Sequence, residues 1–471
     1  MKNEKLIIGI FTILLFLGGT VFGQEIVTDE DSLFGADEST EISTDEDNLF
    51  GSEDDMFLDN TELIEEVADD LMEDLSTILL TSDDRVEIGG SFFFDVTADM
   101  GGIDPDDLAG SDLTESLSLD LGATLYLDAR PDEDTRVFAK ADISSPFYTI
   151  KQERFFEDIV TVKELFADFN WDNQVFFRAG KQTVNWGVGY FFSPADLLSL
   201  SRIDPEAPDA ELDGPIALKI NYPSLLNNYY LYTVVPEEVT SFADAAIAPM
   251  AEFVIGNSEI SLGAFYQYDK APAAMTAITS AIGDVSVYGE GYVSYGSDKI
   301  FIESNGGSGV TEVSYDDVFF FKGTLGGLYS WSDDLAYYNL SFRGQYYFNG
   351  EGYEDPDIVN VFETPQLATI IDPTDPSEIA GVLLESGRHY GAVSVNWREM
   401  WGSDFSLSLF FIENFSSFSG MIKPSISWSG LDDIDISLSA SGMFGDAGEE
   451  YSIPGSIAAV SLGVSIGGTS F

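Results

Sequence analysis

Arg178, Lys181 and Gln182 stand together at the end of an alternating run, Trp186 follows, and Asp196, Asp204 and Asp209 come before the next apolar alternation, "PIALKINY". Two bases facing three acids make no nucleophile and carry no electrons. Set across a water-filled passage, they make a transverse field that orients a polar solute. Bond-making chemistry has little to draw on elsewhere. There is no cysteine, which excludes thiolate sites and disulfides, and a single histidine, His389. His389 precedes an alternating run (Val393, Val395, Trp397) and reads as an inert interfacial residue. "DPEAPDAELDG" offers Asp209, Glu211, Asp213 and Gly214 at calcium-loop spacing, but Ile220 stands where the bidentate acid is required. "GVG" at Gly187–Gly189 lacks the third glycine of a nucleotide loop. No enzyme, cofactor or resident metal is expected. A formal net charge of −63 over 471 residues argues against nucleic acid.

The elements that must position these residues alternate with period two. In "SLSLDLGATLYLD", Leu117, Leu119, Leu121, Ala123, Leu125 and Leu127 point one way, and Ser118, Asp120, Gly122, Thr124 and Tyr126 the other. The pattern recurs to the C-terminus, as in Tyr338–Phe348, Phe405–Phe411 and Ile434–Ala440. Three features separate this from a soluble sandwich. Many runs reach ~10 residues, the length of a tilted membrane-crossing strand. Aromatics stand at run ends (Trp171, Tyr222, Trp331, Phe348, Trp397, Trp428), as in interfacial girdles. Connections alternate between short (Asp172-Asn173, Asn257-Ser258, Gly283-Asp284) and long (Thr183–Gly214, Gly296–Asp317, Asn349–Ser386).

The sequence therefore predicts an all-β, transmembrane, antiparallel up-and-down barrel over 85–471, with about 18 strands and 16 as the fallback. A lumen of that size is too wide for side chains alone to fill. Asp120, Asp142, Glu164, Asp168, Glu290, Lys322 and Arg343 fall on its wet face. From Arg85 onward there are 59 acids and 18 bases, so cations are the expected preference. The final Phe471 reads as an insertion signal for the barrel-assembly machinery. Its odd number is out of phase with Val460, Leu462, Val464 and Ile466, and a bulge at Gly467-Gly468 is needed to restore register.

The stretch "RAGKQTVNWGVGYFFSPADLLS" resembles porin-like outer-membrane barrels of the alginate-export-like group. The resemblance rests on Gly180, Lys181, Gln182, Trp186, Gly187, Phe192, Pro194 and Asp196, a GKQ…WG…F.P.D signature. It implies an outer-membrane channel without naming a solute. The bases are too few for a uronate chain.

Ahead of the barrel, Lys2 and Lys5 precede an apolar Leu6–Leu17, and Val21-Phe22-Gly23 offers a cleavage site. Residues 1–23 are thus expected to be a signal peptide. Residues 24–84 hold 23 acids and no base, with "TDEDSLFG" repeated as "TDEDNLFG". Disorder is expected first, with weak calcium binding conceivable on charge alone. An amphipathic helix is expected at about 59–80, opened by the Asp59/Glu62 capping box. This segment should lie in the periplasm, with Asn349–Ser386 outside. The predicted activity is passive diffusion of small polar solutes through a barrel in contact with outer-membrane lipid. The other reading is a surface-exposed structural or adhesive barrel with a closed lumen. For Val188–Asp213 two readings stand: a surface loop with Trp186 in the girdle, or a constriction folded into the pore.

Overall fold

The computed structural model describes residues 85–103, 114–132, 134–146, 160–235, 244–299, 301–304, 310–333, 337–353, 385–431, 433–446, 449–452 and 457–470. The expected signal peptide, acidic segment and helix at 59–80, most of Asn349–Ser386, and Phe471 lie outside these. No helix among the described residues is long and apolar enough to cross a membrane. The crossing is made by strands.

In chain order these are β1 (Val86–Ile103), β2 (Thr114–Asp132), β3 (Thr135–Pro146), β4 (Val160–Trp171), β5 (Val175–Lys181), β6 (Ile216–Ser224) and β7 (Asn227–Val235). Next come β8 (Ala246–Ile255), β9 (Ser258–Phe265), β10 (Ala273–Ile282) and β11 (Val285–Tyr295). A short hairpin, β12 (Phe301–Ser304) and β13 (Val310–Val313), interrupts before β14 (Phe319–Ser332) and β15 (Asn339–Asn349). The wall ends with β16 (His389–Arg398), β17 (Phe405–Asn414), β18 (Ser419–Leu431), β19 (Ile434–Phe444) and β20 (Ala458–Ser470). All but the hairpin form one 18-stranded antiparallel sheet, closed by β20 on β1. Neighbours in sequence are neighbours in space, so the barrel is up-and-down.

Closure follows from the alternation. Leu117, Leu165, Phe319 and Leu325 point outward and are exposed. Water would penalise such a surface, while a bilayer matches it. Both rims carry the expected aromatics. On the short-turn rim Trp331 stacks on Tyr338 at 5.8 Å, and Tyr338 on Trp397 at 5.6 Å. An even strand number returns both described ends to this rim. At the C-terminus the β1–β20 register slips between Phe93/Gly467 and Ser91/Ser470, with Gly467 at φ 136°. This is the irregularity that the phase of the sequence required.

Candidate functional site

The connection between β5 and β6 turns into the barrel. Its neck is tied where Gln182 N–H donates to the Pro215 carbonyl at 3.1 Å and the Gln182 side chain donates to the Ala217 carbonyl at 3.1 Å. Thr183 N–H reaches the buried Glu164 carboxylate of β4 at 3.2 Å. From this neck the chain crosses the lumen and docks in two places. Val184, Trp186, Ala195 and Leu198 pack on Tyr232, Ala248, Met250 and Met275 of β7, β8 and β10. Phe191 and Phe192 pack on Tyr347, Tyr390, Ala392, Ile412 and Met421 of β15–β18. Each fully buried large side chain contributes about 1.5–3 kcal/mol. Trp186, only 3% exposed, meets Tyr232 edge-on at 5.6 Å. It is a lumenal anchor, and the girdle reading of this residue is set aside. Space for it comes from Gly263 on β9, where a Cβ would lie 2.9 Å from the indole ring.

Between the two docks the loop is held by polar groups on the wall. Glu290 of β11 accepts from Val188 N–H and Gly189 N–H at 2.5 Å each, from Ala195 N–H at 2.9 Å and from the Ser193 hydroxyl at 3.0 Å. Gln345 of β15 accepts from Tyr190 N–H at 3.1 Å and Phe191 N–H at 2.7 Å, and donates to the Phe192 carbonyl at 2.5 Å. Backbone groups of a loop inside a barrel need such partners as much as those of any buried segment. The close approach explains Gly187 and Gly189. Neither takes a positive φ, but a methyl at Gly187 would overlap Ser193, and one at Gly189 the Phe192 carbonyl.

Ion pairs tie the far limb of the loop to the wall. Lys140 of β3 meets Glu211 at 2.9 Å, Lys163 of β4 meets Asp213 at 3.6 Å, and Lys423 of β18 meets Glu206 at 2.9 Å. Lys163 is available because the β3–β4 register slips there, leaving it as the extra residue of a bulge.

The residues singled out by sequence fall into three groups. Asp196 and Glu290 come together inside the loop's hold. Burial pushes the Asp196 carboxyl up from 3.8 to about 7; the Trp186 N–H opposes that shift and Glu290 adds to it. Arg178 forms a two-point pair with Asp168 of β4 at 2.8 and 3.2 Å and lies over Phe166. Lys181 stands in register with Leu165 and Ile216, both exposed on the outer wall. The acids expected opposite these bases have other partners. Asp209 accepts from the Tyr190 hydroxyl at 2.7 Å, and Asp204 accepts from Glu206 N–H at 2.9 Å. Arg343 lies 3.5 Å from the Tyr190 ring centre, and Lys322 pairs with Glu351 at 2.6 Å. Asp142 accepts from the Thr124 hydroxyl at 2.7 Å, and Asp120 stands opposite Asp95. Sequence patterning does not single out Gln345, Lys140, Lys163 or Lys423. The inward parity of Gln345, Lys140 and Lys423 is readable, that of Lys163 depends on the bulge, and the distant partners of all four are not.

The loop leaves one arc of the wall uncovered. Across β17, β18, β19, β20, β1 and β2, one lateral row reads Ser408, Ser425, Ser439, Ser461, Asp99, Ser116. The next reads Ser406, Ser427, Ser437, Gly463, Thr97, Ser118. A cavity of about 330 Å³ lies between this wall and Glu206 of the loop.

No protein-family model and no curated protein sequence matches the chain. Solved structures similar to it include the outer membrane protein opdK from Pseudomonas aeruginosa, at 8% identity and a TM-score of 0.44, covering 82% of this chain and 99% of that one. OccAB1 from Acinetobacter baumannii gives 10% identity and a TM-score of 0.47, covering 82% and 97%. A mutant porin from Rh. blastica gives 9% identity and a TM-score of 0.38, covering 81% and 99%.

Proposed function

We propose that this barrel is an outer-membrane channel through which small hydrophilic solutes diffuse passively, with a preference for cations, and that it is not an enzyme. The observation that carries this reading is the asymmetry of the lumen. One inserted loop is fastened to the wall through Glu290, Gln345 and two apolar clusters. Beside it runs an arc of hydroxyls and carboxylates with a cavity against it. A loop fastened in this way narrows a passage, and a wall of serine and aspartate suits water and solute more than packing.

Cation preference rests on the excess of acids, 59 against 18 bases from Arg85 onward, and on where the bases lie. Lys140, Lys163 and Lys423 are engaged by loop carboxylates. Asp95, Asp99 and Asp120 face the uncovered arc. Low-dielectric walls focus such a field, and salt weakens it beyond ~10 Å at 0.1 M. In this reading the chain is exported by residues 1–23, its acidic segment lies in the periplasm, and Phe471 is read by the assembly machinery.

Planar-bilayer recording of the refolded protein tests it. Unit conductance is expected, with a reversal potential of cation sign at low salt. A folded, heat-modifiable barrel with no unit conductance would reject the channel and leave the closed, adhesive barrel. An anion-sign potential would reject the selectivity alone.

A further inference from the structure

The cavity beside the loop has a chemistry of its own. One flank is the serine row of β19 and β20, ending at Asp99 of β1. The hydroxyls of Ser439 and Ser461 have no hydrogen-bond partner among the described residues, so they remain open to a solute. The opposite flank is Glu206 of the loop with Lys423 of β18. Met443 supplies apolar, polarisable surface between them, backed by Met421, which is buried against the loop's aromatic dock. Among the described residues, Lys423 is the one base in β17, β18, β19, β20 and β1, and its charge is taken up by Glu206 at 2.9 Å. The carboxylate left uncompensated is Asp99, whose neighbour Ser116 reaches it only at 3.4 Å.

We propose that this cavity, about 330 Å³ and walled by Asp99, the Ser439–Ser461 row and the two methionines, is a transit binding site for small organic cations, ammonium ions on a short apolar body. Asp99 provides the counter-charge, and the serine hydroxyls accept the remaining N–H groups. Met443 covers the carbon chain. Glu206 keeps Lys423 from competing for the same space. The volume is at the lower end of small-molecule sites, which restricts the class to molecules of a few carbons. The site rests on the channel reading for its purpose but not for its existence.

Calorimetry on the full-length barrel in detergent at low salt tests it, with butylammonium, butan-1-ol and butanoate as probes. Butylammonium is expected to bind and the other two not. Asp99→Asn should weaken butylammonium about three- to fivefold, the size of one partly exposed ion pair. The loop pair gives opposite signs. Glu206→Gln frees Lys423 and should weaken butylammonium, while Lys423→Gln frees Glu206 and should strengthen it. Equal binding of butanol and butylammonium, or shifts of the same sign in the two loop variants, overturns the site. The measurement needs no current. A barrel that conducts but does not bind butylammonium loses the site and keeps the channel; one that binds it without conducting loses the channel and keeps the site.

Discussion

Two arcs of the same wall carry opposite side chains inward. Along β7–β16 the lumen-facing positions include Tyr232, Met250, Met275, Tyr288, Tyr347 and Tyr390, all nearly fully buried. Along two lateral rows of β17–β20, β1 and β2 they are almost all serine, threonine and aspartate, and large side chains return beside the loop, at Ile412 and Met421. Outward-facing positions are apolar on both arcs, because lipid makes the same demand everywhere. The difference is therefore set from inside. Large rings give a crossing loop something to pack against, and short hydroxyls give it nothing. The loop settles on the large side chains, as far round as Ile412 of β17 and Met421 of β18, and leaves the hydroxyl rows uncovered. Where the lumen stays uncovered is thus written in the wall as much as in the loop.

Removing the loop should abolish the difference between the arcs. Deletion of Val188–Asp213 takes away Ala195 and Leu198 from one apolar dock, Phe191 and Phe192 from the other, and the three loop acids paired with wall bases, leaving Val184 and Trp186. Both arcs then face water. Single-channel conductance should rise several-fold and the reversal potential should move toward zero, with heat-modifiable folding retained, since every wall strand and its ladder is intact. Unchanged conductance would mean that the loop does not bound the passage.

A smaller disruption leaves the loop present but loosens it. Glu290→Ala removes the acceptor for three backbone N–H groups and the Ser193 hydroxyl. Each unmet buried group costs about 1–3 kcal/mol, so amide exchange across 188–195 should accelerate by well over tenfold. Glu290→Gln keeps the size and one acceptor oxygen and should lose less. Protection that persists in Glu290→Ala would place the hold in the aromatic docks alone.

Most of the wall is legible in the amino-acid pattern, and the loop's anchorage is not. Period-two alternation needs only local residues, and lipid outside with water inside makes parity nearly decisive. Strand number, short and long rims and the inward parity of Asp120, Glu290 and Arg343 all follow from it. Even the misplaced phase at Phe471 points to the slip that Gly467 makes. Pairing across the lumen is different. Glu290 lies about a hundred residues from Val188 in sequence, and Gln345 farther still from Tyr190. Nothing local selects Lys140, Lys163 and Lys423 over Arg178 and Lys181 as partners of the loop acids. Arg178 is claimed by the adjacent strand through Asp168. Lys181 continues the outward parity of Ala179, which counting along the strand reveals.

Paired substitutions at small lumenal residues sharpen the contrast between the arcs. Gly263→Leu puts a side chain where Trp186 lies. Overpacking costs about 1–3 kcal/mol, so exchange at 184–198 should rise by roughly tenfold or more. Ser439→Leu adds the same bulk to the open arc, against no loop residue of the two apolar clusters. Exchange in the loop should stay within a factor of about two, as for changes away from packed features. Equal responses at the two sites would mean that the arcs do not differ as supports.

The smallest expected effect is a dependence of docking on pH. The Asp196 carboxyl titrates near 7 when docked, raised by burial from its ordinary 3.8. Below the ordinary value both docked and released loops hold it neutral, and docking is at full strength. Between the two values the released loop ionises and the docked loop does not, so docking weakens as pH rises. Above about 7 the penalty is complete and constant. Comparing pH 6 with pH 8 spans only the top of that window, roughly one unit, which is at most about 1.4 kcal/mol. Exchange at 186–198, referenced to exposed amides at Leu225 and Leu226, should therefore be up to about tenfold faster at pH 8. The groups facing Asp196 are the Trp186, Leu198 and Ser199 N–H donors and the Glu290 carboxylate. Only Asp196→Asn removes the titrating carboxyl while leaving Glu290 in place. That variant should exchange alike at both pH values. If it keeps the slope, Glu290 drives the dependence and the assignment to Asp196 fails; if the native chain shows no slope, the docked loop does not hold Asp196 out of water.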